Sequence, residues 1–223
     1  MASEPTPVRS PGRRGRWGVI AASRCIEEPF PADTEAQIAR FTELVAIGVA
    51  NVQAREELRA LADEQAALRR VATLVAGTAP PAAVFAAVAE EAGRLLAADL
   101  AHTFRYEPDY TVSVVAGWSR QSDHLAVGSR YPLHPSMVTA LVRRSGQPAR
   151  TDTYPPSSPL ADEARRLGVR STVGCPITVE GRLWGLIGVS SSRPEPLPAD
   201  TEARLTDFAE LAATAIANAE ARA

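Results

Sequence analysis

Thr172-Val173-Gly174-Cys175-Pro176-Ile177-Thr178-Val179-Glu180-Gly181-Arg182-Leu183-Trp184-Gly185-Leu186-Ile187-Gly188-Val189-Ser190-Ser191-Ser192 reads as two strands joined by a two-residue turn. Val173, Cys175, Ile177 and Val179 alternate onto one face, Glu180-Gly181 is the turn, and Arg182 to Ser192 is apolar on both faces, the mark of a central strand. This hairpin anchors a sheet, and the rest of the chain can be placed around it.

Downstream, Asp200 is placed to cap a helix whose buried stripe is Leu205, Phe208, Leu211, Ala212, Ala215 and Ile216, with Glu202 in its first turn. Upstream, Pro80-Pro81 opens a helix carrying Val84, Phe85, Val88, Ala92, Leu95 and Leu96. Leu100 to Glu107 and Tyr110 to Trp118 form a second hairpin around Pro108-Asp109, with Tyr110, Val112, Val114 and Trp118 expected on one side. Ser136 to Ser145 reads as a helix ended by Gly146, Pro148 to Thr153 as a short edge strand, and Leu160 to Leu167 as a helix stopped by Gly168. The order of elements predicts an α+β fold, an antiparallel sheet sandwiched by helices and preceded by a long coiled-coil-type helix.

The chain of 223 residues also repeats itself. Residues 17–55 align without a gap onto 184–222, with about 20 of 39 pairs identical, and Glu28-Pro29-Phe30-Pro31-Ala32-Asp33-Thr34-Glu35-Ala36 matches Glu195-Pro196-Leu197-Pro198-Ala199-Asp200-Thr201-Glu202-Ala203. A period this long indicates a duplicated domain rather than a solenoid. The expected division is a disordered tail at 1–16, the last strand and helix of a truncated first domain at 17–56, a signalling helix at 57–78, and a complete domain at 79–223. An accessory helix with a strand stub is the alternative for 17–56.

Leu44, Ile47, Asn51, Ala54, Leu58, Leu61, Gln65, Leu68, Ala72 and Val75 fall at alternating a and d positions of a heptad, with polar residues only at a. That pattern suits a parallel homodimer in which Asn51 and Gln65 set register; an amphipathic helix packed on its own sheet is the other reading.

Composition excludes several functions. All 24 basic residues are arginine, which removes chemistry that needs a lysine, such as a P-loop or a Schiff base. Net charge of −2 gives no field to gather nucleic acid or to hold an acidic membrane. Cys25 and Cys175 are too far apart for a zinc or redox motif and suit a reducing cytoplasm, and no apolar run reaches the ~20 residues that cross a bilayer. Neither a GxSxG elbow nor an HExxH or GxGxxG motif occurs, so no catalytic residue and no metal site is expected.

The run Arg170 to Gly185, continuing through Arg193-Pro194-Glu195-Pro196-Leu197-Pro198-Ala199-Asp200 into the last helix, resembles the GAF domain, in the form found as tandem sensory modules of actinobacterial-type sensor histidine kinases. The resemblance implies a cytoplasmic sensor in two-component signalling that takes a small molecule or partner and signals through paired helices. Lysine-free, the chain cannot carry the signature of cyclic-nucleotide-binding members; Cys175 precedes Pro176, not the histidine of bilin attachment; and one cysteine per domain is too few for the members that reduce methionine sulfoxide. Haem is not expected from His102, His124 and His134, read as polar residues without an iron role. Tyr131, Met137, Leu141, Tyr154, Leu160 and Cys175 are the expected pocket, and Leu44, Ile47, Leu58, Leu61, Leu68 and Val75 the expected dimer helix. A pure dimerisation module, with its interior all core, and a relic of a broken kinase gene are the rival readings.

Overall fold

The computed structural model describes residues 18–25, 28–77, 79–152, 154–155 and 158–221, so the tail at 1–16 and Trp17 lie outside the described residues. Two compact units are present, Met1–Ala62 and Asp63–Ala223. The larger is built on the hairpin of β5 (Ser171–Val179) and β6 (Arg182–Ser191). Its turn residues Glu180 and Gly181 have φ of 48° and 77°. Both angles are positive, as a two-residue turn matched to strand twist requires, and Gly181 takes this conformation without a Cβ penalty.

β6 pairs antiparallel on its other edge with β1 (Leu100–Tyr106), which pairs in turn with β2 (Thr111–Ser119). Short strands close the edges: β3 (Arg130–Pro132) beside β2 and β4 (Ala149–Thr151) beside β5, giving the order β3-β2-β1-β6-β5-β4. The Arg130–Pro132 strand falls in a stretch whose sequence carries no alternation, and three residues are too few to show one.

Two apolar layers follow from the pleat. On one face, Val173, Cys175, Ile177, Val179, Ile187 and Val189 are buried under α2 (Pro81–Leu95) and α5 (Thr201–Glu220). The other face carries Phe104, Val112, Val114 and Leu186 beneath α3 (Val138–Ser145) and α4 (Pro159–Arg166). Trp118 does not share a side with Val112 and Val114 as simple alternation predicts. The register slips between Thr103↔Ala116 and Phe104↔Val114, leaving Val115 as a bulge. One extra residue exchanges the faces, so Ala116 and Trp118 join the helical layer, and Trp118 rests where Gly93 of α2 leaves room.

α1 (Thr34–Ala76) is continuous over 43 residues. Within the larger unit its last turns bury Ala67, Val71 and Val75 in the helical layer, with Leu68 packed against that layer. Arg70 there pairs bidentately with Glu91 of α2, and Glu64 accepts from Arg204 of α5. Of the residues expected on the dimer helix, Val75 is thus buried in its own domain and Leu68 packs half-buried against it: the 3.6-residue stripe that packs here coincides with the heptad over these two turns. In the smaller unit Leu44, Ile47, Leu58 and Leu61 are exposed, as are Phe41, Val45 and Val52. Gly18 to Cys25, the copy of β6, form no strand, and Val19 and Ile20 are exposed.

Asp200 stands at the start of α5 but makes no capping hydrogen bond; its backbone is already helical (φ −87°, ψ −2°), which is not the extended geometry an N-cap uses. The first turn is secured from outside. Arg150 of β4 grips the Glu202 carboxylate through Nε and Nη2 at 2.8 and 2.7 Å and donates to the Leu197 and Pro198 carbonyls at 2.6 and 2.8 Å. These bonds hold the Glu202 carboxyl below the usual range.

Candidate functional site

A partly open cavity of about 50 Å³ lies between the second sheet face and the α3–α4 segment. A single water needs roughly 10–15 Å³ of such space. The floor comes from alternate residues of two central strands: Leu100, His102 and Phe104 of β1, Gly188 and Ser190 of β6. Met137, Val138 and Thr139 at the head of α3 form one wall, Leu160 and Ala164 of α4 another. The wall is mostly apolar, and its polar groups are few and placed.

His102 is buried, 6% exposed. Its Nε2 accepts a hydrogen bond from the Leu125 backbone N–H at 3.1 Å, so in the neutral ring the proton sits on Nδ1. Burial, helped by His124 with ring centroids 6.1 Å apart, pushes the imidazole pKa down to about 3. The Tyr154 hydroxyl, Thr172 Oγ1 and Ser190 Oγ form a chain at 2.7 and 2.8 Å, and burial pushes the phenol up to about 12. Thr139, 1% exposed, has a hydroxyl without a hydrogen-bond partner among the described residues, although its carbonyl accepts from Tyr106 Oη at 2.7 Å.

Two expected outcomes follow. Thr139→Val removes an unpaired buried hydroxyl at constant shape, so the free protein should gain roughly 1 kcal/mol in urea unfolding; an equal loss would mean the hydroxyl is satisfied in solution. For His102 the folded value lies below the unfolded ~6.5. The unfolded chain therefore binds the proton first, and stability should be full above pH 6.5 and fall as pH drops towards 3. Unfolding curves at pH 7 and 5 should show a smaller difference for His102→Phe than for the wild type.

Of the expected pocket residues, Met137, Tyr154 and Leu160 line the cavity together. Tyr131, on edge strand β3, packs against the same apolar layer without lining the cavity, and Leu141 on α3 is half-buried outside it. Cys175 is on the opposite face, since strand alternation sends Thr172 to the cavity and Val173, Cys175 and Ile177 under α5. Its thiol donates to the Glu202 carbonyl at 3.3 Å and burial raises its pKa to about 11, the state of an inert core thiol. His102, Thr139, Thr172 and Ser190 were not singled out as site residues. The usable signal for His102 was a polar residue between Leu100 and Phe104 on one face of a buried strand.

Residues 80–216 match the GAF domain family, well over half of the chain. The chain belongs to the GAF family. The GAF domain is a sensory module, and its fold here runs from α2 to α5, with the cavity on the sheet face opposite α2 and α5. Among solved structures, the phycocyanobilin-bound GAF domain from a cyanobacterial phytochrome is 20% identical with a TM-score of 0.60, covering 71% of this chain and 96% of that one. A phycoerythrobilin-bound GAF domain from a cyanobacterial phytochrome is 19% identical (TM-score 0.59; 71% and 97% covered). The chromophore-binding domain of the bacteriophytochrome RpBphP3 from R. palustris is 14% identical (TM-score 0.58; 73% and 63% covered). At these identities the likeness is one of fold. No curated protein matches the sequence. Among the described residues no helix is long and apolar enough to cross a membrane, and no group of three or more His, Cys, Asp and Glu could hold a metal ion.

Proposed function

We propose that this chain is a cytoplasmic sensory module of bacterial signal transduction that takes a small molecule into the cavity beneath α3 and α4 and passes its occupancy to helices α1 and α5, as part of a sensor histidine kinase. The observation that carries the ligand reading is the Thr139 hydroxyl, buried and without a partner among the described residues at the wall of an apolar cavity. The kinase setting rests on the tandem arrangement implied by the internal repeat. Native mass spectrometry and thermal-shift measurements over a metabolite panel test it: a retained or stabilising compound supports the reading, and none across the panel removes the ligand from it.

The bilins of the phytochrome neighbours do not fit this cavity. An apolar cavity of about 150 Å³ takes benzene, so about 50 Å³ is far too small for a four-ring chromophore, and Cys175, the cysteine of this domain, faces away from it.

The smaller unit supports a second role, pairing. The 17–56 segment is the end of a first GAF domain in this reading, with two separate apolar faces on α1. Ile38, Phe41, Val45 and Val49 correspond to Leu205, Phe208, Ala212 and Ile216 of α5 and would dock on a sheet of their own; Leu44, Ile47, Leu58 and Leu61 form the seam of a parallel homodimer. Sedimentation equilibrium should show a dimer that Leu58→Asp with Leu61→Asp converts to monomer, while a monomeric wild type would remove the seam from the reading.

A further inference from the structure

Building on the cavity as the sensory site, we infer that its ligand is a compact uncharged molecule of a few heavy atoms, smaller than an aromatic ring, apolar over most of its surface and carrying a hydrogen-bond acceptor such as a carbonyl oxygen. The chain is dense in charge, with 24 arginines and 26 carboxylates, yet none of the described lining residues is Arg, Asp or Glu. A buried ion is tolerated only beside a counter-charge, and this wall has none to give. On the covering helix, Arg165 spends Nη1 on the Tyr154 and Pro155 carbonyls at 3.2 and 3.1 Å, and Arg166 pairs with Asp123 and Glu163. The lining ring that could become a cation, His102, is kept neutral by its burial and by His124.

What the wall does offer is two unengaged polar groups. His102 commits Nε2 to the Leu125 N–H, so Nδ1–H remains as an obligate donor with no partner among the described residues. The Thr139 hydroxyl can donate or accept and does neither among the described residues. Tyr154, Thr172 and Ser190 are each engaged, with two hydrogen bonds among their three hydroxyls. One acceptor atom on a ligand can therefore take both remaining groups, or one directly and one through water. Leu100, Phe104, Leu125, Met137, Leu160 and Leu167 present hydrocarbon to the rest. Size follows from the volume: about 50 Å³, against the ~150 Å³ that takes benzene, holds only a few heavy atoms.

Acetone and acetate, nearly identical in shape and differing in charge, separate the possibilities when titrated into the whole chain at pH 7.5 and followed by amide NMR shifts. Acetone should bind at least tenfold more tightly than acetate. Thr139→Val, which keeps the fold, should weaken acetone about tenfold, and Ala164→Val, whose added methyl groups fill the cavity, should abolish binding while circular dichroism reports an intact domain. Tighter binding of acetate, lost in Ala164→Val, would overturn the uncharged class and leave the sensory cavity standing. Acetone binding indifferent to both substitutions would place it elsewhere and overturn the inference. No binding of either probe at high millimolar concentration would overturn it too, and the metabolite panel would then decide the cavity's role separately.

Discussion

Gly185→Ala should lower stability by about 3 kcal/mol or more, a fall in melting temperature of roughly 6–12 °C for a domain of this size. A Cβ built at Gly185 would stand 2.0 Å from the Phe104 carbonyl oxygen and 3.1 Å from its carbon. Both are backbone atoms of the neighbouring central strand, paired through Arg105↔Gly185, so no side-chain rotation relieves the overlap. The strands must separate at the middle of the sheet. The internal repeat supplies the control, because Gly18 occupies the same position in the other copy and a Cβ there meets nothing within 4 Å. Gly18→Ala should leave the transition where it is. Equal effects at both sites, measured by calorimetry, would show that the clash is not what constrains Gly185.

The same comparison applies to phenylalanine. Phe208 of α5 is 0% exposed, and its counterpart Phe41 of α1 is 60% exposed. Truncating a fully buried phenylalanine costs about 3–5 kcal/mol through lost transfer energy and the cavity left behind. Phe208→Ala should therefore remove a large part of the ~5–15 kcal/mol that holds a typical domain, whereas Phe41→Ala should change the urea midpoint by no more than about 0.5 kcal/mol equivalent. A substantial loss at Phe41 would mean that its face is covered in solution, by a second sheet or a second chain.

These pairs also show where sequence reading reached its limit. The β5–β6 hairpin was legible because Glu180-Gly181 is chemically specific to its turn and the strands on either side are regular. Faces were legible wherever alternation was unbroken, as in Val173 to Val179. At Val115 a single extra residue reverses them, and nothing in Val114-Val115-Ala116 announces it. Helix α1 carries two overlapping periodicities, and only tertiary packing determines that Leu68 and Val75 turn into their own domain while Leu58 and Leu61 do not. Cys175 drew notice because sulfur is rare in this chain, but the pleat put it on the far face. His102 and Thr139 were missed for the opposite reason: one histidine in a strand and one threonine in a helix look ordinary until three-dimensional packing leaves a nitrogen and a hydroxyl without protein partners.

The strand order sets how this domain can be made. β1 and β6 are neighbours at the centre, yet Leu100 pairs with Ser190 some ninety positions later. Each hairpin can close locally in microseconds, but joining them requires a long loop to be gathered first, with its entropy spent before the contacts return it. Folding should therefore be limited by the docking of two preformed hairpins. During synthesis the β1 edge stays unpaired until Ser190 has left the ribosome, so the growing chain exposes for several seconds the backbone edge that the finished domain buries at its centre.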